Sequence, residues 1–273
     1  MSRINVKGSR VLITGAANGI GRSLALQLTS MGAHVALIDI NEKALRSVSE
    51  ACGDALYRQC DITNKVQLRE AINSLAGSFQ AFDVVIANAG IAFEEPLIND
   101  KEDDDFERTI NTNVFGTHFT VKAVEKHMSD NSYILVTSSL GADVNFPLMG
   151  GYSVSKAAVA SYGQTLKIEL RGTGTRVGTA FYSQLDNEMT TKFNSPAAQW
   201  LLNRRGLQLL HRVVPEQVAI DAVIRGIQRR SAIVVAPRRV RIIRWYRSPI
   251  QFVVGRWFGN VQEGIRISLM SSK

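Results

Sequence analysis

The sequence predicts an α/β protein: a doubly wound parallel sheet of seven strands with helices on both faces, followed by a basic C-terminal helical tail. Short β-branched apolar runs alternate with helix-competent segments from residue 10 to residue 236. The first of these runs leads through a glycine-dense turn directly into a helix. Such alternation is typical of parallel sheets whose ligands bind at the carboxyl ends of the strands.

The totals describe an ordinary globular chain. Its 273 residues are 45% hydrophobic and 21% charged, which allows a sizeable core and argues against disorder. Cys52 and Cys60 show neither a disulfide framework nor metal-ligand spacing, and the four histidines form no ligand spacing either. The first ten residues are polar and basic, unlike a secretory signal. We therefore expect a cytoplasmic protein without a metal.

The positive charge of the chain is concentrated in its last quarter. From Leu201 onward, fourteen Lys and Arg face three acids, a balance of +11, whereas the preceding residues hold eighteen against twenty-one, a balance of −3. An asymmetry of this kind suggests an anionic partner for the C-terminal region alone.

The glycine-dense turn follows the first predicted strand, Val11 to Ile13. Gly15 can adopt backbone angles closed to other residues, Gly19 leaves room for a pyrophosphate, and Gly21 lets the helix pack closely on the strand. The helix N-terminus adds unpaired N–H groups for the phosphates. A tight turn without a ligand is the alternative. We predict a dinucleotide phosphate site formed by Gly15, Asn18, Gly19, Ile20 and Gly21.

An acid ends the second predicted strand, His34 to Ile40. Asp39 lies roughly 20 residues beyond the glycines, where a carboxylate accepts hydrogen bonds from the adenosine ribose hydroxyls and repels a 2′-phosphate. This position favours NAD over NADP. An exposed acid at a strand end is the alternative reading.

A second acid follows the third predicted strand, Ala55 to Gln59. We place Asp61 and the adjacent Ile62 at the sheet edge where an adenine ring would lie. Thr63 is a candidate for the N-cap of the next helix. The adenine site and the helix cap are compatible interpretations of this segment.

The fourth predicted strand, Phe82 to Ala87, ends in the turn-prone Asn88 and Gly90. The acidic run from residue 100 to residue 105 reads as a solvated loop and helix start. In the apolar helix that follows, Asn113 is costly unless its amide is hydrogen-bonded.

Candidate catalytic residues follow the fifth predicted strand, Tyr133 to Thr137. Ser138 and Ser139 come at its carboxyl end, and Tyr152 and Lys156 share one face of the next helix because they are four residues apart. The ordinary pKa of tyrosine is about 10. A nearby ammonium group and the positive nicotinamide ring of an oxidised cofactor would lower it.

These residue types suit acid–base chemistry on an alcohol or a ketone. Tyr152 would be the general acid or base, and Ser139 would hold the substrate oxygen by a hydrogen bond. Asn113 would anchor a water that leads protons from Lys156 to solvent. Each of these residues, considered alone, can also be explained by a structural role as a cap or a packing residue.

Together these motifs resemble the short-chain dehydrogenase/reductase family over about Lys7 to Thr190. The matching elements are Thr14-Gly15-x-x-x-Gly19-x-Gly21, Asp61, Asn88-Ala89-Gly90, Asn113, Ser139 and Tyr152-x-x-x-Lys156. The resemblance implies a Rossmann fold that binds NAD(P) and interconverts a secondary alcohol and a ketone. It also implies a catalytic tetrad of Asn113, Ser139, Tyr152 and Lys156, with Asn88, Gly90, Tyr152 and Lys156 at the cofactor. A homodimer or homotetramer through the helices bearing Asn113 and Tyr152 is a further implication.

One departure from the family follows the sixth predicted strand, Arg176 to Phe181. The family has Pro-Gly and then a threonine that holds the nicotinamide carboxamide, whereas this chain reads Tyr-Ser-Gln-Leu-Asp-Asn. By alignment, the backbone of Leu185 and the side chain of Asn187 would take that role. The departure keeps open a second hypothesis, a dinucleotide-binding regulatory protein without turnover.

A lid over the substrate is expected at about 187–214. It is rich in large apolar residues, which favours a hydrophobic substrate such as a steroid, fatty or prenoid-like molecule; ordinary core or dimer contact is the alternative. A helix starting near Pro215 and a seventh strand from Ser231 to Ala236 would complete a dinucleotide-binding and catalytic domain spanning 1–236.

The remaining residues, 237–273, form a basic amphipathic extension that we expect to pack on the same domain. Arginines alternate there with Ile, Val, Trp, Tyr and Phe, as in helices that lie on anionic bilayers. No apolar run reaches the roughly 20 residues needed to span a membrane. We retain two interpretations of this extension: it contacts a membrane surface, or it packs as the face of an oligomer or of the lid. We do not favour a nucleic-acid partner.

Overall fold

The computed structural model of the protein describes residues 3–93, 104–187 and 212–258. Nine strands lie in these ranges: β1 (Arg10–Thr14), β2 (His34–Asp39), β3 (Leu56–Gln59), β4 (Phe82–Ala87), β5 (Met128–Thr137), β6 (Arg176–Tyr182), β7 (Leu185–Asp186), β8 (Val214–Pro215) and β9 (Ile233–Ala236). Seven of them form one parallel sheet in the order β3-β2-β1-β4-β5-β6-β9, which confirms the predicted architecture.

Helices connect the strands and cover both faces of the sheet. They are α1 (Gly19–Ser30), α2 (Glu42–Ala51), α3 (Lys65–Phe79), α4 (Asp104–Ile110), α5 (Thr117–Val124), α6 (Gly150–Glu169), α7 (Glu216–Arg229), α8 (Arg239–Trp245) and α9 (Arg247–Phe258). Buried side chains of α1, α2 and α7 fill one face, and those of α3, α5 and α6 fill the other. From β1 the chain first adds strands on one side, towards β3, and then on the other side, from β4 to β9. Open α/β sheets form their ligand crevice at the point where this order changes, which here lies between β1 and β4.

The central strands are buried on both faces. Val11, Leu12 and Ile13 of β1 have no exposed surface, and β4 and the second half of β5 are similarly enclosed. Strands covered on both sides read as continuous apolar runs, which is why the sequence identified them readily.

The local structure differs from the sequence expectations at several points. Asn64, not Thr63, caps α3, because its side chain accepts hydrogen bonds from the backbone of Val66 and Gln67. Strand β5 begins at Met128, five residues earlier than predicted. Strands β7 and β8 form a short parallel ladder that the sequence analysis missed.

Helices α8 and α9 pack beside the segment that joins β5 to α6. Val240, Ile243 and Val254 enter a third apolar cluster with Leu140, Val144, Leu148, Ala160 and Phe181. No helix in the described ranges is long and apolar enough to cross a membrane. Most of the expected lid, residues 188–211, and the last fifteen residues lie outside the described part of the chain.

A substitution at Gly178 tests the packing between β5 and β6. A Cβ at this position would lie 1.9 Å from Tyr133 Oη and 2.4 Å from the backbone oxygen of Ser231. The Tyr133 hydroxyl donates a hydrogen bond to that oxygen at 2.7 Å, so the added methyl would break a buried contact. We expect Gly178→Ala to lower the free energy of unfolding by about 3 kcal/mol, measured by urea denaturation.

The control for this substitution is Gly77→Ala in α3, where nothing lies within 4 Å of the added Cβ. There the gain in helix propensity should stabilise the protein by up to about 1 kcal/mol. Equal destabilisation by the two variants would contradict the packing argument.

Candidate active site

The turn between β1 and α1 has the geometry of a phosphate cradle. Gly15 has a φ of +68°, and a Cβ on it would lie 2.7 Å from the Ala89 Cα. A Cβ on Gly21 would lie 1.9 Å from the carbonyl oxygen of Gly15, so only glycine lets α1 approach this closely. Gly19 has a φ of +49° and faces open space. The exposed Asn18 precedes the first turn of α1, whose N–H groups point towards that space.

Thr14 and Asn88 fasten this turn to the end of β4. The Thr14 hydroxyl oxygen accepts hydrogen bonds from the backbone of Asn88 at 3.1 Å and of Ala89 at 3.2 Å. In return, the Asn88 side-chain amide donates to the carbonyl oxygens of Thr14 and Gly15, both at 3.3 Å. The predicted phosphate turn and the predicted Asn88-Ala89-Gly90 segment are therefore in direct contact.

The two acids predicted at the adenosine end also shape their own loops. One Asp39 oxygen accepts a hydrogen bond from the Ala17 backbone N–H, and the other accepts from that of Asn41, both at 3.0 Å. Asp61 Oδ1 accepts from both the backbone and the hydroxyl of Thr63. Each carboxylate has lone pairs beyond these bonds for a ligand.

Ile62 links the loop after β3 to the helix that carries Asn113. Residues Asn111–Gly116 form a π-helical turn between α4 and α5. A Cβ on Gly116 would lie 2.4 Å from Ile62 Cδ1, so the glycine makes space for this buried side chain. Single π-helical turns inside helices are frequent at functional sites.

Asn113 lies in that π-helical turn and has no exposed surface. Its amide donates to the Ile91 carbonyl oxygen and to Ser155 Oγ, both at 2.9 Å, and its Oδ1 accepts from the Ile91 backbone at 2.8 Å. The amide is hydrogen-bonded, as the sequence analysis required of a buried asparagine. Because both amide hydrogens are used within the protein, only the second lone pair of Oδ1 is left for a water.

Lys156 is buried beneath the segment after β4. Its Nζ donates to the Thr137 carbonyl oxygen at 3.1 Å, and burial lowers its pKa to about 8. A Cβ on Gly90 would lie 3.1 Å from this Nζ and 3.0 Å from Asn113 Oδ1. Because Gly90 has no side chain, Lys156 and Asn113 can both lie against it at the carboxyl edge of the sheet.

Tyr152 and Ser139 complete the group. A Cβ on Gly141 would lie 3.4 Å from the Tyr152 ring and 3.6 Å from Ser139 Oγ, which places both side chains around this glycine. Burial raises the pKa of Tyr152, and a hydrogen bond with Ser139 acts in the opposite direction. Ser139 Oγ also accepts from the Gly141 backbone at 3.1 Å.

The raised pKa of Tyr152 differs from the lowering expected from the sequence. Desolvation of the phenol outweighs the hydrogen bond with Ser139. The Lys156 ammonium is directed at Thr137 and lies 5.6 Å from the centre of the tyrosine ring. In the protein alone, Tyr152 is therefore a neutral proton donor.

The segment after β6, where the family pattern is broken, is held by the β7–β8 ladder. Leu185 is buried and pairs with Val214, and its carbonyl oxygen accepts a hydrogen bond from the Asn187 backbone at 3.0 Å. The ladder fixes the path of the backbone here without a Pro-Gly turn.

The sequence analysis missed the contacts between α8–α9 and the segment that follows Ser139. Arg244 pairs with the buried Asp143 at 2.5 Å and lies over the Phe181 ring, 3.2 Å from its centre. The Gln251 side chain accepts a hydrogen bond from the Asn145 backbone at 2.7 Å. These partners are about a hundred residues apart, and the only signal in the sequence was the arginine-rich composition of 238–247.

A dinucleotide cradle beside Tyr152 and the buried Lys156, at the carboxyl edge of a doubly wound sheet, defines a nicotinamide-dependent oxidoreductase. The sequence model described as short chain dehydrogenase matches residues 9–198, and the chain belongs to that family. The predicted family and its use of NAD(P) are thereby confirmed.

Relatives and solved structures agree with this assignment. The secoisolariciresinol dehydrogenase of Forsythia intermedia is 32% identical over 194 residues, which cover 69% of this chain and 70% of that enzyme. A 3-ketoacyl-(acyl-carrier-protein) reductase from Brucella melitensis, complexed with NADH, superposes with a TM-score of 0.75 at 23% identity, covering 85% of this chain and 97% of that one. A short chain dehydrogenase from Burkholderia cenocepacia, in complex with NADP, gives 0.74 at 24% identity with the same coverage.

The buried ammonium of Lys156 predicts a pH-dependent stability difference. The pKa is about 8 in the folded protein and 10.5 ordinarily, so the unfolded chain binds more protons between these values and stability rises with pH across this window. We expect Lys156→Met to be more stable than the parent at neutral pH by up to about 3 kcal/mol, since each pKa unit is worth about 1.4 kcal/mol.

Urea unfolding at a series of pH values measures this difference, which should shrink as the pH rises from 8 towards 10.5. A difference that does not change with pH would show that the lysine is not buried as a charge.

Proposed function

We propose that the protein is an NAD(H)-dependent oxidoreductase that interconverts a secondary alcohol and a ketone in an apolar substrate, with Tyr152 as the general acid or base. The grouping of Tyr152 with Ser139 and the buried Lys156, next to the glycine turn, supports this proposal most directly. The 32% identical relative is named as a dehydrogenase and a structural neighbour as a ketoacyl reductase, so both directions occur among similar proteins.

The residues present fit a dinucleotide. Gly19 opens onto free space at the N-terminus of α1, and no acid lies in the first turn of that helix to repel phosphates. The nicotinamide ring, when bound, accepts a hydride from the alcohol or gives one to the ketone. We assign its binding to the phosphate turn (Gly15, Asn18, Gly19, Ile20, Gly21), the adenosine end (Asp39, Asp61, Ile62) and the nicotinamide end (Asn88, Gly90, Tyr152, Lys156, Leu185, Asn187).

The chain's own residues handle the proton. In the reducing direction the neutral Tyr152 hydroxyl donates its proton to the carbonyl oxygen while Ser139 donates a hydrogen bond to the same atom. Lys156 has a pKa of about 8, so at neutral pH it carries a proton that it can pass on. Asn113 holds the Ile91 backbone and Ser155, which fixes the segment after β4 against α6.

The preference for NAD rests on Asp39. Its carboxylate lies beside the glycine turn, which contains no Lys or Arg from Gly15 to Gly21 to balance a 2′-phosphate. Structural neighbours carry either NADH or NADP, so the choice depends on such local residues.

An apolar substrate and a homo-oligomer are further parts of the proposal. Apolar residues that follow Ser139, such as Leu140, Val144 and Phe146, accompany an apolar sequence over 188–211. Phe115 and Val154 are about half exposed on the helices bearing Asn113 and Tyr152, where a second copy would cover them. Free, buried Cys52 and Cys60 suit a cytoplasmic location.

Tyr152→Phe tests the chemistry. Removing the hydroxyl should lower kcat by about a thousandfold and leave NADH binding intact, because only the proton donor is lost. NADH binding is followed by fluorescence, and turnover by nicotinamide absorbance against steroid, fatty and small secondary alcohols.

The matched control is Tyr162→Phe, on the same helix, whose hydroxyl contacts His118 Nδ1 at 3.0 Å away from the site. Full activity in Tyr152→Phe would refute the mechanism. NADH binding without turnover on any substrate in the parent protein would favour the regulatory alternative.

Asp39→Asn tests the cofactor preference. The amide keeps an acceptor for the turn but removes the charge that repels a 2′-phosphate, so the ratio of NADH to NADPH affinity should fall about tenfold. Glu42→Gln removes a charge three residues away on α2 and should leave the ratio unchanged. If both variants change the ratio equally, the effect is one of general charge and Asp39 does not set the preference.

A further inference from the structure

Helices α8 and α9 expose a row of arginines and large apolar side chains, which we call the C-terminal stripe. It consists of Arg238, Arg241, Ile242, Trp245, Phe252, Val253 and Arg256. Trp245 is 81% exposed, Phe252 67% and Ile242 62%. Members within each helical segment are spaced mainly three or four residues apart and so share a face, while Val240, Ile243 and Val254 are buried on the other side.

The stripe is strongly cationic. Residues 237–258 contain six arginines and no Asp or Glu. Asp143 pairs with Arg244, which is largely covered by the domain, and at 3.9 Å with the exposed Arg247. Among the ion pairs within the described ranges, none involves Arg238, Arg241 or Arg256. Within the described part of the chain, these three guanidinium groups accompany the exposed apolar side chains and form no ion pair with a carboxylate.

The combination of charge and apolar surface narrows the choice of partner. A large exposed apolar patch marks an interaction site. A second copy of the chain would bring the stripe against itself in a two-fold contact, placing arginines opposite arginines. A nucleic acid would use the arginines but would leave Ile242, Phe252 and Val253 largely in water. An anionic bilayer offers phosphates to the arginines and an acyl boundary to the apolar side chains.

We propose that the C-terminal stripe docks the protein on a membrane surface through anionic phospholipid headgroups, with α8 and α9 lying in the plane of the interface. Trp245 and Phe252 enter the acyl boundary, and Arg238, Arg241 and Arg256 bind headgroup phosphates. The buried side of the same helices contacts residues 140–148, directly after Ser139, so the docked protein holds one wall of its catalytic edge close to the lipid. This proposal depends on neither the substrate nor turnover.

Vesicle co-sedimentation of the full chain tests the proposal. We expect binding to vesicles containing about one third phosphatidylglycerol, none to pure phosphatidylcholine vesicles, and loss of binding at high salt. The charge variant Arg238→Gln/Arg241→Gln/Arg256→Gln should bind about 100-fold more weakly, since each of the three arginines contributes about a fivefold factor. Trp245→Ser/Phe252→Ser removes the apolar contacts and should also abolish sedimentation.

Two controls isolate the stripe. Arg69→Gln/Arg171→Gln/Arg225→Gln removes the same net charge from exposed positions elsewhere, and Ile168→Ser removes an exposed apolar side chain of α6. Both should bind anionic vesicles like the parent. All of the substituted side chains are exposed, and unchanged thermal unfolding temperatures will show that the variants fold.

Three results would overturn the proposal. The first is equal loss of binding in the stripe variants and the controls, which reflects net charge alone. The second is stronger binding to duplex DNA than to anionic vesicles, abolished by the same arginine substitutions. The third is a change of oligomeric state in the stripe variants without vesicles, which assigns the stripe to a second copy of the chain.

Discussion

The close approach of β1 and β4 at the carboxyl edge of the sheet is the constraint on which the rest of the site depends. The hydroxyl of Thr14 serves the backbone of both Asn88 and Ala89, and Asn88 returns two hydrogen bonds to the turn. Gly15 can meet Ala89 only because it lacks a side chain. This single junction sets the glycine turn, the start of α1 and the segment leading to Gly90, which in turn leaves room for Lys156 and Asn113.

A buried positive charge lies at the carboxyl edge of the sheet. Lys156 is 5% exposed and donates a hydrogen bond to the Thr137 carbonyl oxygen. The unfavourable desolvation is offset by the folding energy of the surrounding sheet, in which the second half of β5 and nearly all of β6 are buried. The pKa of Tyr152 is shifted in the opposite direction, upwards, so Tyr152 holds its proton more tightly than Lys156 does, although their ordinary pKa values of 10.0 and 10.5 are nearly equal.

The sequence alone was sufficient to predict the sheet, the glycine turn and the grouping of Ser139, Tyr152 and Lys156, because apolar periodicity and local spacing determine these features. It also required a bonded amide at Asn113, but the partners Ile91 and Ser155 come from other elements and only the fold shows them. The sequence analysis expected a lowered pKa of Tyr152 with an oxidised cofactor bound, whereas in the protein alone burial raises this pKa, because desolvation depends on packing from several segments. The pairing of Asp143 with Arg244 joins residues 101 positions apart and leaves no local pattern.

The two sides of the C-terminal helices are under different physical constraints. Substitutions on the side facing Asp143, Asn145 and Phe181 disturb contacts with the segment that carries Ser139. Positions such as Ile242, Trp245 and Phe252 contact solvent and can change with little effect on folding. A few substitutions on one side of two short helices would therefore change what this surface of the protein can contact, while the segment that carries Ser139 stays the same.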